Sequence, residues 1–416
     1  MITWFKLGLR NLLRNARRSL VTVLAIGLGF LAVNTLGGFT AYIFTSLQDS
    51  YIYGEGNGHL TVFKAGFLDK GKLDPLAFLL DADELAAVRK VLAADPDVVL
   101  ASPALHISGL LSNGKVSTIF VAAGLVPEDM RSIAAHAPDP GGNGSRFDGL
   151  PLSTAKPYGI GVSRGLAQQL NLALGETAVA MAPTVAGQVN ALDAQLLQVV
   201  DAPVEALEDK LAAVPLAFAQ SLYDTASVDR VTVLLRGEEQ TAAACVRLRA
   251  AFARAGLALE VRTWQQMAPF YTKVKKMFNV IFLVTFLIVF LIVVMSVLNT
   301  VGMAVLERTR EIGTLRALGL RRAGIVRLFA IESMLLGAIG SLFGMALMLL
   351  LLYLVHLLHP TWVPPQIARE VPLRIYLVVP YWLASVSLLL ALSLAAAVFP
   401  ARAAARKEIT HALGFA

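Results

Sequence analysis

Phe278-Asn-Val-Ile-Phe-Leu-Val-Thr-Phe-Leu-Ile-Val-Phe-Leu-Ile-Val-Val-Met-Ser-Val-Leu-Asn-Thr-Val-Gly-Met-Ala-Val305 runs straight into Leu306-Glu-Arg-Thr-Arg-Glu-Ile-Gly-Thr-Leu-Arg-Ala-Leu-Gly-Leu-Arg-Arg-Ala-Gly-Ile-Val-Arg327. The first stretch carries no charge over its whole length, and the second carries six arginines against Glu307 and Glu311. A hydrocarbon core about 30 Å thick needs roughly 20 apolar residues to span it. The first stretch therefore reads as a membrane helix, and the second as the polar connection that follows it. Three further runs meet the same criterion, at about 19–47, 325–355 and 375–399. Composition agrees, with 56% hydrophobic and 16% charged residues, against about 25% charged in a soluble domain.

Charge sets the expected orientation, because short flanks on the cytoplasmic side collect Lys and Arg. Residues 1–18, 306–327 and 400–416 together hold fourteen basic and three acidic side chains, so +11 of charge sits there and −4 elsewhere, within a formal net charge of +7. Both termini and the 306–327 segment are expected to be cytoplasmic. Lys273, Lys275 and Lys276 lie on the other side, at the end of a long segment that crosses largely regardless of charge. The run at 19–47 is too long for a secretory leader and lacks a small-x-small cleavage site, so it reads as a retained anchor. The first eighteen residues alternate apolar and basic side chains at helical spacing, as an amphipathic helix lying in the headgroup layer would.

Between the first two membrane helices, residues 50–272 have ordinary soluble composition. A capping-box helix is expected at Asp81–Ala94. A strand pair at Val98–Leu110 and Lys115–Ala123 should turn tightly through Asn113-Gly114. A strand–helix–strand run is expected at 228–235, 238–255 and 258–263. Residues 137–151 are rich in Pro and Gly and open an inserted subdomain at about 152–227.

The expected fold is thus an α-helical membrane protein with four transmembrane helices and an α+β extracytoplasmic domain between helices 1 and 2. Its segments are an interfacial helix (1–18), helix 1 (19–47), the external domain (50–272), a stalk and helix 2 (273–305), and a short cytoplasmic helix (306–324). Helix 3 (325–355), a short outer loop (356–374), helix 4 (375–399) and a tail (400–416) complete the chain.

Catalytic signatures are missing from the residues. Gly66–Lys72 and Gly109–Lys115 resemble half a phosphate loop, but neither has Ser or Thr after its Lys or a helix opening there. His356 and His359 could share a metal, yet a zinc site usually needs three or four ligands. The lone Cys245 permits no intramolecular disulfide. No enzyme activity, cofactor, metal or nucleic-acid partner is expected on this chain. In helix 3, Gly337, Gly340 and Gly344 present small residues for close helix packing. The 306–327 segment has an apolar edge of Ile312, Leu315 and Leu318 flanked by charges, suited to docking into a groove on a partner.

That segment carries a resemblance. Glu307-Arg308-x-Arg310-Glu311-Ile312-Gly313-x-x-Arg316-Ala317-x-Gly319, with Glu332 in the next helix, resembles the signature of the FtsX-like permeases, a superfamily that includes MacB, LolC and LolE. Phe5–Ser19 is similar to the family's amino-terminal helix, Pro400–Arg406 with Ala412 and Leu413 to its tail, and Gly161–Glu176 to part of its external domain. The resemblance implies a permease subunit in a bacterial inner membrane, paired with a second copy or a sister permease and seated on a dimer of separate ATPase subunits that hold the ATP and magnesium. It implies that Glu307, Arg308, Arg310, Glu311, Ile312, Leu315, Arg316 and Gly319 couple to that ATPase. Motion would pass to the external face by mechanotransmission, with a periplasmic carrier or adaptor protein and membrane lipids as further partners. Because MacB carries a fused ATPase and this sequence does not, the lipoprotein-releasing branch is favoured; efflux of a small molecule or peptide with an adaptor, or a scaffold switching a periplasmic hydrolase, are the alternatives.

Overall fold

The computed structural model describes the chain except for residues 1–7, 9, 15, 72, 139–146, 203–204, 364–370 and 407–416. Ala412, Leu413, Lys72, most of the 137–151 run and the first turn of the amino-terminal helix therefore lie outside the described residues. Two compact units emerge, one of residues 1–44, 274–360 and 372–416, the other of residues 45–273 and 361–371.

The first unit holds four helices long and apolar enough to cross a membrane. They are α1 (Ala16–Asp49), α7 (Pro269–Glu307), α9 (Arg322–Leu358) and α10 (Val379–Arg406). Three begin before their hydrophobic run and all four end after it, because helical hydrogen bonding continues into the flanks once the apolar stretch has nucleated it; α10 instead opens at Val379, four residues into its run. At about 1.5 Å per residue, α7 is roughly 58 Å long, well beyond the hydrocarbon thickness. The expected 306–324 helix is divided: α7 continues to Glu307, a separate helix α8 spans Thr309–Ala317, and α9 opens at Arg322. A core of Ile26, Phe30, Val293, Val297, Phe329, Met348 and Ala397 joins the four long helices.

The small residues of α9 pack, but on two neighbours rather than one. A Cβ on Gly344 would stand 2.7 Å from the backbone oxygen of Gly27, and one on Gly340 would stand 2.7 Å from Ile26, so both meet α1. Gly337 instead meets Ser393 of α10. Gly337 and Gly344, seven residues apart, lie within about 20° of each other around the helix and about 10 Å apart along it, so the change of neighbour comes with position along α9 rather than with rotation. In lipid, where burial supplies little drive, such backbone approach is what lets helices gain dispersion contacts.

The second unit is α+β. Strands β1 (Leu60–Lys64), β2 (Val98–Ser112), β9 (Arg230–Leu235) and β10 (Leu259–Thr263) form an antiparallel sheet in the order β10-β1-β9-β2. Helix α2 (Ala82–Ala93) links β1 to β2, and α6 (Thr241–Arg254) links β9 to β10. Two split βαβ units are thereby interleaved, the ferredoxin-like arrangement. Val88 and Leu92 of α2, with Ala244, Leu248 and Phe252 of α6, cover one face of the sheet. Asp81 caps α2 in a full capping box with Glu84.

Strand β2 leaves this sheet after Ala104, and its second half enters a different one. Its partners there are β3 (Ser117–Leu125) and β6 (Thr177–Pro183). With β5 (Gly159–Ser163), β7 (Val189–Val200) and β8 (Leu211–Pro215), the pairing runs β2-β3-β8-β5-β7-β6 and returns to β2. This is a closed six-stranded barrel, whose closure removes the sheet edges. Its core is filled by Leu105, Ile107, Leu111, Phe120, Ala122, Ile160, Val162 and Leu196, all buried. The short β4 (Phe147–Gly149) also pairs β7, and helices α3 (Pro127–Ala135), α4 (Arg164–Gln169) and α5 (Leu216–Tyr223) follow β3, β5 and β8. The expected insert at 152–227 is therefore only part of the barrel, which also needs residues 105–125. β5 is buried at every position and so shows no alternation, and β8, whose burial does alternate, consists of Leu211-Ala-Ala-Val-Pro215, with no polar residue to mark its outer side in the sequence. The Asn113-Gly114 turn also differs from expectation. Only Gly114 has positive φ, and the Asn113 side chain accepts hydrogen bonds from the amides of Lys115 and Val116, making a four-residue Asx loop.

Candidate functional site

Arg308 organises the connection between α7 and α9. Its backbone leaves the helical region (φ −106°, ψ 15°), which ends α7 and starts α8. Its guanidinium turns inward: NH1 donates to Oε1 of Glu332 on α9 at 2.9 Å, and Nε donates to Oε2 of Glu311 at 2.9 Å. The side chains of Arg308 and Glu332 are only 9% and 8% exposed. The Arg308 guanidinium also lies over the Phe329 ring, 5.9 Å from its centroid. Paired, hydrogen-bonded charges can be held away from water; unpaired ones are costly.

The amino-terminal helix, helical at residue 8 and at 10–14, closes this network. The side-chain amide of Asn11 donates to Glu332 at 2.6 Å, and Arg14 donates to Glu311 at 2.9 Å. Asn11 and Arg14, three apart, share a helix face. The result is a ring across three elements: Asn11, Glu332, Arg308, Glu311 and Arg14. A second contact beside it joins Arg18 to Glu307 at 2.9 Å. The guanidinium of Arg308, and then that of Arg14, hold the Glu311 carboxyl below the usual carboxylate range. Behind the ring lies a cavity of about 30 Å³ lined by Asn11, Ser19, Thr300, Arg308, Glu332 and Ser333, enough room for a water molecule. The neighbouring Thr300 hydroxyl is hydrogen-bonded to Thr22 of α1, a polar tie between two membrane helices.

Helix α8 is seated by its apolar side. Ile312 is buried in the bundle core, Leu315 packs against it half-buried, and Gly313 is buried beside them. Ile312 and Leu315 thus face their own helices, and the expectation that the whole apolar edge meets a partner is corrected. The exception is Leu318, 81% exposed. The cause is the way the helix ends. Gly319 adopts φ +93°, its amide bonds the carbonyl of Arg316, and the amide of Leu320 bonds that of Leu315. This is a Schellman closure, in which Leu315 and Leu320 meet inward and the residue before the glycine is left outside. Arg310, Glu311, Thr314, Ala317 and Leu318 form the outward surface, while Arg316 is half-buried.

Of the residues chosen from sequence, Glu307, Arg308 and Glu311 are brought into the ring or beside it, and Arg310 remains outside. Asn11, Arg14 and Arg18 were not singled out, although the three-residue spacing of Asn11 and Arg14 was visible. His356 and His359 stand with ring centroids 5.6 Å apart, and among the described residues no third ligand groups with them.

Comparison with known proteins places the chain. The family described as FtsX-like permease C-terminal matches residues 283–409, which include most of α7, all of α8 and α9, and α10. An uncharacterized ABC transporter permease of Methanocaldococcus jannaschii is 30% identical over 87 residues, 21% of this chain and 22% of that protein's own length. Among solved structures, the periplasmic region of MacB from Actinobacillus actinomycetemcomitans aligns at 12% identity and TM-score 0.38, over 54% of this chain and 96% of that one. The extracellular domain of the noncanonic ABC-type transporter YknZ from Gram-positive bacteria aligns at 13% identity and TM-score 0.35, over 50% of this chain and 100% of that one. That family match lies across the helices that carry and flank the Arg308 ring, so residues 283–409 are similar to the C-terminal region of the FtsX-like permeases, and the chain spans about a fifth of the length of the ABC transporter permease it matches.

Proposed function

We propose that α8 is the docking element for a separate ABC-type ATPase, and that the chain converts the movement of that ATPase into a conformational change of its α+β unit. The observation that carries this reading is the construction of α8. A nine-residue helix is anchored inward by Ile312, Leu315 and a buried ion pair, and presents Arg310, Thr314 and a bare Leu318 outward. An exposed leucine on a segment that also exposes Arg310, Arg321 and Arg322 supplies the apolar and charged contacts of a protein interface. On this reading the three basic flanks lie in the cytoplasm of a bacterium, the membrane is the inner membrane, and residues 45–273 work outside it.

The cargo we infer is a lipoprotein or other lipidic molecule handled at the outer face. Two cavities between the membrane helices, one behind the Arg308 ring and one lined by Phe30, Phe286, Val289 and Leu389, measure about 30 Å³ each. Among the described residues these two have room for a water and not for cargo; work at the outer face is inferred from the family resemblance. A permease dimer and a periplasmic carrier or adaptor complete the assembly we envisage, with ATP and magnesium on the ATPase alone.

Leu318→Asp and Arg310→Glu test the docking surface without touching the ring. Each should strip the co-purifying ATPase from the full chain, or abolish its stimulated ATP turnover, by about tenfold or more for a desolvated contact of about 1.4 kcal/mol or above. The control is Lys115→Ala in the exposed loop between β2 and β3. Retention of the ATPase with undiminished turnover in both variants would overturn the assignment.

A further inference from the structure

We propose that the amino-terminal helix with the first turn of α1, and α8 with the last turn of α7, form one mechanical body, with Asn11, Arg14 and Arg18 as the positioning residues that bind it. The argument starts from how little else holds α8. Its inward apolar contacts come from two side chains, Ile312 and Leu315, and a nine-residue helix is about 13.5 Å long. Such an element would tilt under load unless tied down. The ties are the ring and its neighbour: Arg14 to Glu311 of α8 itself, Asn11 to Glu332 of α9, and Arg18 of α1 to Glu307 at the end of α7. Single exposed pairs contribute little, but charges linked into a network through a buried member are a different case. Arg308 and Glu332 are that buried member, and the Ser333 hydroxyl beside them is fully buried and lines the cavity behind the ring. The amino-terminal helix leads into α1 after residue 15, so a displacement of α8 is handed toward α1 through Arg14, and to α7 through the backbone, where the Arg18–Glu307 pair ties α7 back to α1. Glu307 and Glu311 are consumed inside this body and belong to its integrity. The direction of transmission rests on the ATPase-docking reading; the joining of the two helices does not.

Backbone amide exchange of the full chain in lipid nanodiscs, with no ATPase present, tests the joining. Arg18→Glu should raise exchange about threefold in residues 10–14 and in 309–317 together, and Arg18→Gln should raise both by less. Arg18→Glu with Glu307→Arg, which restores the pair with reversed charge, should return both segments toward wild-type rates. Barrel amides in residues 189–200 serve as the internal control for folding. Exchange that rises in one segment alone, that changes in neither, or that the double exchange fails to restore while the barrel stays protected would overturn the proposal. Because the measurement contains no ATPase, its failure leaves the Leu318 test standing, and failure of the Leu318 test leaves this result standing.

Discussion

At the scale of single residues, the Arg308–Glu332 pair is the most demanding commitment in the membrane unit. Removing one partner of a buried pair leaves the other charge uncompensated, a cost of about 3–5 kcal/mol, whereas replacing both with apolar groups is often close to neutral. Glu332→Ala should therefore lower the unfolding temperature more than the double variant Arg308→Met/Glu332→Leu does, measured on the full chain in detergent; the reverse order would mean the pair is solvated. Two carboxyls of the α+β unit make opposite pH predictions. Burial raises Glu55 to about 7, against the lowering effect of its hydrogen bond from Asn57. A folded pKa above the unfolded one means its stabilisation is complete below the ordinary carboxylate range and fades as pH rises through about 7. Burial would also raise Asp229, but His106 and Arg230 outweigh it and hold the carboxyl at about 2. Its contribution is present above the ordinary carboxylate range and fades as pH falls toward about 2. Melting curves should show Glu55→Gln closing the gap between about pH 5 and 8, and Asp229→Asn costing stability at about pH 7 that shrinks toward pH 2.

Among elements, the α1–α9 seam and the end of α8 depend on glycine for different reasons. At Gly344 the obstacle is space: any Cβ stands 2.7 Å from a backbone oxygen of Gly27, which cannot move without moving α1. Gly344→Leu should abolish the folded membrane unit, by loss of monodispersity in gel filtration, while Leu350→Phe, at a position 52% exposed, should behave as wild type. Equal behaviour would remove the seam from the account. At Gly319 there is open space but a positive φ. Gly319→Val should cost roughly 1–2 kcal/mol of backbone strain and release the last turn of α8, seen as faster amide exchange at Leu318 and Leu320. The helix boundaries show where local sequence ceases to decide. No proline or glycine stands between Val305 and Ile312, so residues 306–324 read as one helix with no break at its start. The break comes at Arg308 because Glu332, twenty-four positions away, draws its side chain inward.

For the whole molecule, orientation follows from charge that local packing does not alter. With +11 on three flanks, reporter domains fused after Ser19 and after Ala401 should register as cytoplasmic, and those inserted at exposed loops within 60–260 as external. An external carboxy terminus would contradict the arrangement. The α+β unit shows a different dependence on scale. Strand β2 serves two sheets, its first half pairing β9 and its second half closing a barrel with β3 and β6. A fifteen-residue strand reads as one strand in any window, and its division appears only when its partners are known.

By itself, the sequence determined what depends on neighbours along the chain: four apolar runs long enough for a membrane, the basic flanks, the Asp81 capping box, and a motif at 307–319 distinctive enough to name a family. Each is a property of length, periodicity or local hydrogen bonding, and short-range physics suffices to read it. The tertiary structure alone decided which side of α8 faces out, that Arg14 and Arg18 spend themselves on Glu311 and Glu307, that Gly337 parts from Gly340 and Gly344, and that a barrel closes through residues 105–125. These depend on partners as far as 321 positions away along the chain. An ion pair or a strand partner is chosen by geometry among many candidates of the same chemistry, and only the folded chain brings one of them within hydrogen-bonding distance.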